Sequence, residues 1–177
     1  DAGRDLILGA RATRESVIAA SRSGQLARKR VVVFATHGLM AGDLPGLVQP
    51  ALALAAAAPG RDALASLIGL DDVLSLKLNA DWVVLSACNT AAGDGQAGEA
   101  LSGLARGFLY AGSRSLMVTH WAVESESARL LTSATFQHHV AQPNASKAES
   151  LRQAMLGLMD HPKYRHPAYW AAFALFG

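Results

Sequence analysis

The sequence predicts an α/β fold, a three-layer α/β/α sandwich with a central, mostly parallel sheet. Three short and nearly all-apolar runs, at 31–36, 82–87 and 115–119, predict strands. They lack the alternation of apolar and polar residues that marks a half-exposed strand, so we expect them at the centre of the sheet, buried on both faces. Helical patterns lie between and after them, and the order strand, helix, strand, helix implies right-handed crossovers.

A helix is predicted in four places. The clearest has its apolar residues on one face, at Leu101, Leu104, Ala105, Phe108 and Leu109. Gly112 is well placed to end it. Ser146 and Glu149 have the Ser-x-x-Glu form of a capping box and predict the start of another helix. We also expect a helix over 124–140 and a short one capped by Thr13.

Length and composition fit one packed domain. A chain of 177 residues is long enough for one sizeable core and too short for two ordinary domains. Hydrophobic residues make up 51% and charged residues 17%, which argues against disorder. We therefore treat 1–177 as a single domain. Because the chain starts at Asp1 rather than at a methionine, we expect it to be part of a longer protein.

Charge and hydropathy argue against a nucleic-acid or membrane partner. Sixteen Lys and Arg stand against fourteen Asp and Glu, and the nearest approach to a basic cluster is 28–30. The longest apolar run, 51–58, has eight residues, whereas roughly 20 are needed to span a bilayer. The single cysteine, Cys88, cannot form an internal disulfide, which fits a reducing compartment such as the cytoplasm.

Reactive side chains follow all three predicted strands. His37 and Gly38 follow the first, Cys88 and Asn89 the second, and His120 and Trp121 the third. Ligands of an open parallel sheet bind beyond the carboxyl ends of its strands, where the loops converge. The long segment 38–50, rich in glycine and proline, follows the first strand, and loops of that length in a compact domain are usually functional. We therefore expect the functional site at this edge of the sheet.

Cys88 and His37 have the chemistry of a cysteine peptidase. Such an enzyme needs a thiol, an imidazole that takes its proton, and donors for the oxyanion of the tetrahedral intermediate. If the two strands are neighbours, Cys88 and His37 supply the first two, and the backbone N–H groups of Gly38 and Cys88 supply the donors. The two side chains are 51 positions apart, close to the roughly 50 between the caspase histidine and its downstream cysteine.

The sequence around these residues carries several recognisable blocks. They read FATHG at 34–38, ADWVVLSACNT at 80–90, GEALSGLARGFL at 98–109, KAESLR at 147–152 and HPAYWAAF at 166–173. In this order they resemble a CHAT domain, the caspase-like peptidase domain often found attached to tetratricopeptide repeats. The resemblance runs from Leu8 to Gly177, nearly the whole chain.

The resemblance implies a caspase-hemoglobinase fold and hydrolysis of a polypeptide substrate by a dyad that maps onto His37 and Cys88. It implies no metal or cofactor, and it suggests a regulatory region such as tetratricopeptide repeats outside this chain. One departure concerns the third strand end, where the family usually has Leu-Trp and this chain has His120-Trp121. A second imidazole is thereby expected near the cleft.

Other interpretations of the same residues remain. Cys88 taken alone would more often be a small buried hydrophobic residue, and the whole fold could be a catalytically silent interaction domain. Residues 93–98 match G-x-G-x-x-G, but five residues separate them from the strand and no acidic residue stands near Val118 to hold a ribose. His37, Cys88 and His120 could ligate zinc, although no short paired spacing supports this.

The substrate pocket is less specified than the dyad. We assign Ser86, His120 and Trp121 to substrate binding, while His120 could also compete as a base or be inert. A pocket for a basic side chain would need a carboxylate, and five are candidates: Asp43, Asp94, Glu99, Glu124 and Glu126. The remaining histidines are expected to be solvated at the surface: His138, His139, His161 and His166.

Overall fold

In the computed structural model the described residues are 5–56, 60, 62–86 and 96–177, with only the backbone described at 96–102. The helices are α1 (Arg14–Arg22), α2 (Leu70–Ser75), α3 (Gln96–Tyr110), α4 (Ser125–Ala141) and α5 (Lys147–Met159). The strands are β1 (Val31–Phe34), β2 (His37–Leu39), β3 (Ala51–Ala53), β4 (Leu67–Ile68), β5 (Trp82–Leu85), β6 (Leu116–Thr119) and β7 (Phe173–Phe176). In the described part of the chain, no helix has the length and hydropathy to cross a membrane.

The main sheet has four strands in the order β1-β5-β6-β7. β1 pairs with β5 and β5 with β6, both in parallel, and β7 closes the other side of β6 in the antiparallel direction. The three predicted strands are therefore confirmed as parallel neighbours, and the sheet is mostly parallel as expected. The antiparallel strand β7 was not predicted from the sequence.

Successive side chains of β5 and β6 point to opposite layers, as the pleat of a strand requires. One layer contains α3 and shares a buried cluster with the sheet that includes Val83, Leu85, Val118, Leu104 and Phe108. The other contains α4 and α5, and its buried cluster includes Trp82, Val84, Met117, Leu131 and Leu151. Every residue of β5 and β6 is buried, which confirms the three-layer α/β/α arrangement.

The expectation that all three strands are buried on both faces is wrong for β1. Val31 is 39% exposed and Val33 is 50% exposed, whereas Phe34 is buried. Among the described residues β1 pairs only with β5, so it forms an edge of the sheet. An apolar run of this length predicts a strand, but it does not tell a central strand from an edge strand.

A second, smaller sheet begins immediately after β1. It is antiparallel with the order β2-β3-β4, and its central and last strands bury Leu52 and Ile68 completely. Gly38 and Leu39, expected in the loop 38–50, belong to β2. The sequence did not predict this sheet because strands of two or three residues are too short to show a periodicity.

Helix ends follow the predicted signals with one difference. The Thr13 hydroxyl accepts the Ser16 N–H at the start of α1, and the Ser146 hydroxyl accepts the Glu149 N–H at the start of α5. Glu149 does not complete a capping box, because its carboxylate binds Arg152 instead. Gly112 follows the end of α3 with φ +109°, a conformation that favours glycine.

Candidate active site

Strand order brings the three predicted strand ends together at one edge of the main sheet. β5 lies between β1 and β6, and all three run in the same direction. Phe34 is the register partner of Leu85, and the Ser86 N–H donates to the Phe34 carbonyl over 3.1 Å, so the ladder continues one residue past β5. Neighbouring strands lie about 4.8 Å apart, so the segments that leave β1 and β5 start side by side.

His37 is held by its backbone and exposed at its side chain. It begins β2, where its register partner is Ala53. The preceding Thr36 hydroxyl donates to the Ala53 carbonyl and ties the turn between β1 and β2 to β3. Gly38, the candidate oxyanion donor, lies opposite the buried Leu52. The short sheet thus gives His37 a fixed backbone while its imidazole remains exposed.

Cys88 lies outside the described residues, as do Asn89 and the glycine-rich segment up to Gly95. The last described residue before it is the half-buried Ser86. Along the chain, His37 stands three residues after Phe34, and Cys88 stands three residues after the register partner Leu85.

The third strand end is held by a single neighbouring segment, through the His120 main chain and the Trp121 side chain. The His120 N–H donates to the Ala172 carbonyl over 2.8 Å, and the Trp121 indole N–H donates to the Ala168 carbonyl over 3.0 Å. The ring centroids of His120 and Trp121 are 6.5 Å apart, and Trp121 is 38% exposed. The indole is therefore held by its N–H and remains partly accessible to solvent.

Tyr164 anchors the segment that carries Ala168. Its ring is buried, its hydroxyl donates to Glu126 over 2.7 Å, and the Lys163 ammonium lies 3.2 Å from the same carboxylate oxygen. These two hydrogen bonds lower the pKa of Glu126 below its usual value, the Tyr164 bond having the larger effect. Sequence reasoning missed this anchor, because Tyr164 and Glu126 lie 38 positions apart and outside the block at 166–173.

The five candidate pocket carboxylates divide into two groups. Asp43 accepts the Met40 N–H over 2.7 Å, and Glu126 binds Tyr164. Glu124 accepts the Ser127 N–H over 2.8 Å at the start of α4, which lowers its pKa. All three therefore have local structural roles. Asp94 and the side chain of Glu99 lie outside the described part of the chain.

The prediction of four solvated histidines is wrong for His139. Its ring packs edge-on against Trp82 with centroids 5.5 Å apart, and its Nδ1 is buried without a described hydrogen-bond partner. The residue as a whole is half-buried, and the side of its ring that carries Nδ1 is turned away from solvent. His161 and His166 are exposed, as predicted, and His138 is half-buried.

Away from the strand ends, the described part of the chain has a surface cleft but no metal-binding cluster. It contains no group of three or more His, Cys, Asp or Glu side chains placed to hold a metal ion. A cleft of about 710 Å³ lies between α1 and α2, beside the salt bridge in which Arg14 donates to Asp72 over 2.9 Å. None of the residues at the three strand ends lines this cleft.

Comparison with known proteins agrees with the fold. The family model described as CHAT domain matches residues 1–177. A tetratricopeptide repeat protein 28 of Mus musculus is 33% identical over 106 residues. That match covers 60% of this chain but only 4% of the mouse protein, so the chain corresponds to a small part of that relative. The family model matches the whole chain, and the main sheet is mostly parallel and lies between two helical layers. This chain therefore belongs to the CHAT domain family and has its caspase-like fold.

Proposed function

We propose that the chain is a cysteine-type endopeptidase domain in which Cys88 is the nucleophile and His37 is the base. The observation that carries this proposal is the pairing of β1 with β5, with Phe34 opposite Leu85. Along the chain, each proposed catalytic residue follows its member of this register pair by three positions, His37 after Phe34 and Cys88 after Leu85. Family membership supports the same assignment, because the fold is caspase-like.

The proposed reaction uses groups of this chain alone. His37 takes the proton of Cys88, and the thiolate attacks the scissile carbonyl carbon. The backbone N–H groups of Gly38 and Cys88 donate to the oxyanion. His37 then protonates the leaving amine, the C–N bond breaks, and water hydrolyses the thioester to release the acid product and the thiol.

We assign substrate binding to Ser86, His120 and Trp121. Ser86 is the last described residue before the nucleophile, and Trp121 presents a partly accessible indole held by its N–H at Ala168. An extended polypeptide lying across the ends of β5 and β6 would pass both. We assign His120 to the subsite beside Trp121 and the role of base to His37. His37 follows Phe34 by three positions, as Cys88 follows Leu85, whereas His120 follows Val118, the other register partner of Leu85, by two.

The alternative is a catalytically silent interaction domain of the same fold. The similarity to a tetratricopeptide repeat protein favours control by a repeat region outside this chain, and such control is compatible with either function. The two functions differ in the state of the Cys88 thiol. A working dyad holds a cysteine with a pKa below its reference of about 8.5, whereas an inert thiol titrates near that value.

The test is the rate of alkylation of Cys88 by iodoacetamide as a function of pH. Because Cys88 is the single cysteine of the chain, every alkylation event reports on it. We expect the wild type to react at mildly acidic pH. In His37→Ala the rate at mildly acidic pH should fall, because the thiol pKa is no longer lowered. His138→Ala, which removes a half-buried imidazole in the last turn of α4, should leave the profile unchanged.

Titration near the reference pKa in the folded chain, with no response to His37→Ala, would favour the silent domain. The same measurement in urea gives the profile of the unfolded thiol. If the cleft assembles only in the presence of the repeat region, the same measurement is made on the full-length protein. Its outcome there decides between the two functions.

A further inference from the structure

The amino ends of the parallel strands carry a concentration of positive charge, which we call the cationic pole. It consists of Arg28, Lys29, Arg30, Arg114 and Lys147. The first three precede β1 directly, Arg114 precedes β6, and Lys147 begins α5. The pole lies at the edge of the sheet opposite the strand ends that carry His37 and His120.

One carboxylate organises the centre of the pole. Asp81 lies just before β5 and accepts the Arg30 Nε–H on one oxygen and an Arg114 N–H, over 3.3 Å, on the other. The Lys147 ammonium donates to the Asp81 carbonyl and, over 2.7 Å, to the Ser115 hydroxyl. Two guanidinium groups thus share a single negative charge, while the Lys147 ammonium binds the neutral Asp81 carbonyl and Ser115 hydroxyl.

The excess charge is accessible to solvent. The Arg30 side chain is 80% exposed and the Arg114 side chain is 57% exposed. Arg30 uses only its Nε in the described part of the chain, so its two terminal nitrogens face outward without a described acceptor. Lys29 pairs with Asp5, and Arg28 has no described salt bridge among the residues of the structure.

This charge is not typical of the chain as a whole. The pole contains five Lys and Arg against two carboxylates, Asp5 and Asp81, from totals of sixteen and fourteen. The rest of the chain therefore has eleven basic and twelve acidic residues. Glu149, in the first turn of α5, adds no excess negative charge because it pairs with Arg152. The net positive charge of the protein is concentrated at the cationic pole.

We propose that the cationic pole is a docking surface for an acidic segment of a partner polypeptide. Such a segment matches a small surface with a net positive charge, and the charge increases its rate of association. A nucleic acid fits less well, since its phosphate backbone would continue beyond the pole onto a surface with slightly more acidic than basic residues. Docking here leaves the opposite edge of the sheet open, and the surface does not depend on peptidase activity.

The experiment measures fluorescence anisotropy of a labelled poly-glutamate peptide titrated with the chain at low and at physiological salt. We expect binding that weakens as salt is added, because exposed charges are screened. Arg30→Glu should weaken it about fivefold, in line with exposed charge pairs at interfaces. Arg28→Glu has no described salt bridge to disturb and should act in the same direction with less risk to folding.

Arg165→Glu is the matched control, because it makes the same charge change at an exposed position away from the pole. It should leave binding within about twofold of the wild type. Three results would overturn the proposal: no binding of the peptide at low salt, an equal loss in Arg165→Glu, or tighter binding of a single-stranded oligonucleotide of the same charge than of the peptide. Circular dichroism of each variant shows whether a loss of binding comes from misfolding.

Discussion

The two ends of the parallel sheet are built differently. At the amino end, Asp81 accepts hydrogen bonds from Arg30 and Arg114, and its carbonyl accepts one from Lys147, so polar groups bind each other. At the carboxyl end, the backbones of His37 and His120 are held by neighbouring strands. The imidazole of His37 is nevertheless exposed.

This difference predicts that stability and catalysis depend on opposite ends of the same sheet. Interactions between protein groups fix the amino end, so changes there should alter the free energy of unfolding. The carboxyl end fixes the main chain and exposes reactive atoms, so changes there should alter activity at nearly constant stability. Each prediction below tests one end against the other.

The largest effect is expected at the proposed dyad. Cys88→Ala removes the nucleophile and His37→Ala removes the base, and each should lower kcat/KM on a peptide-library substrate by on the order of 10³-fold or more. The double variant should lose little beyond either single variant, because the two groups act as a unit. Urea unfolding of His37→Ala should show a change of less than about 1 kcal/mol, because the His37 side chain is exposed.

The control is Asp81→Asn at the other end of the sheet. It weakens the contacts with Arg30 and Arg114 and should lower stability while leaving kcat/KM per folded molecule unchanged. Full activity in Cys88→Ala would refute the peptidase assignment. A large loss of stability in His37→Ala would instead show that the two ends of the sheet are not separable in this way.

The next largest effect is expected at Gly112, in the turn between α3 and β6 at the amino end. Its φ is +109°, and a Cβ at this position would lie 2.4 Å from the Leu78 carbonyl oxygen. Gly112→Ala should therefore cost about 2 kcal/mol or more through backbone strain and displacement of Leu78. Thermal or urea unfolding measures the loss.

Gly103→Ala is the matched control for this change. Gly103 lies inside α3, and a Cβ there would meet no atom of the described residues within 4 Å. The substitution should be neutral or should stabilise the chain by up to about 1 kcal/mol, because alanine favours helix over glycine. Equal losses in the two variants would mean that the close approach of Gly112 to Leu78 is not what matters.

The central elements could be predicted because their sequences carry long or strong signals. The apolar runs of β5 and β6 match burial on both faces, and the apolar face of 101–109 matches α3. The run of β1 is equally apolar, yet Val33 is half exposed. Burial of a strand depends on which layers cover it, and that information is not in its own residues.

The sequence predicted the neighbouring strand ends from which the candidate site is built, whereas the placement of Cys88 stays a prediction. His37, Cys88 and His120 were identified because reactive residues follow strands that run in parallel. The anchoring of Trp121 by Ala168, and of its segment by Tyr164 and Glu126, joins residues more than 35 positions apart. Such contacts leave no local pattern, because a backbone carbonyl can be supplied by any residue.

A smaller effect is expected at Trp121, at the carboxyl end. Trp121→Phe removes the indole N–H that donates to Ala168 and reduces the exposed ring, so KM should rise about three- to tenfold, which corresponds to the loss of about one hydrogen bond and some apolar contact. The value of kcat should stay within about twofold, because Trp121 is assigned to binding and not to the chemical step.

Trp170→Phe provides the comparison, since its indole N–H also donates to a carbonyl of the same segment, that of Arg165, over 3.2 Å. It should lower stability slightly and leave KM unchanged. If both substitutions raise KM alike, Trp121 acts by holding the segment together and does not contact the substrate.

The smallest effect is expected at Glu149, at the start of α5 near the amino end. Its carboxylate accepts hydrogen bonds of 2.8 Å from Arg152 and from Gln153, and these lower its pKa from 4.5 to about 2, the Arg152 bond having the larger effect. A carboxyl group whose pKa is lower in the folded chain stabilises the fold above its unfolded pKa, and the contribution disappears as pH falls through the folded pKa.

The wild type should therefore lose stability relative to Glu149→Gln between pH about 4.5 and about 2, and the two should be equally stable below that range. Urea midpoints measured across this interval give the difference directly, and Asp71→Asn, an exposed carboxylate in the first turn of α2, is the matched control. A constant difference between wild type and Glu149→Gln at every pH would mean that the carboxylate acts through packing and not through its charge. A stability difference that disappears only in acid would show that hydrogen bonds between exposed charged groups stabilise the amino end of the sheet. The rate of peptide hydrolysis, which depends on the carboxyl end, should not change with the titration of Glu149.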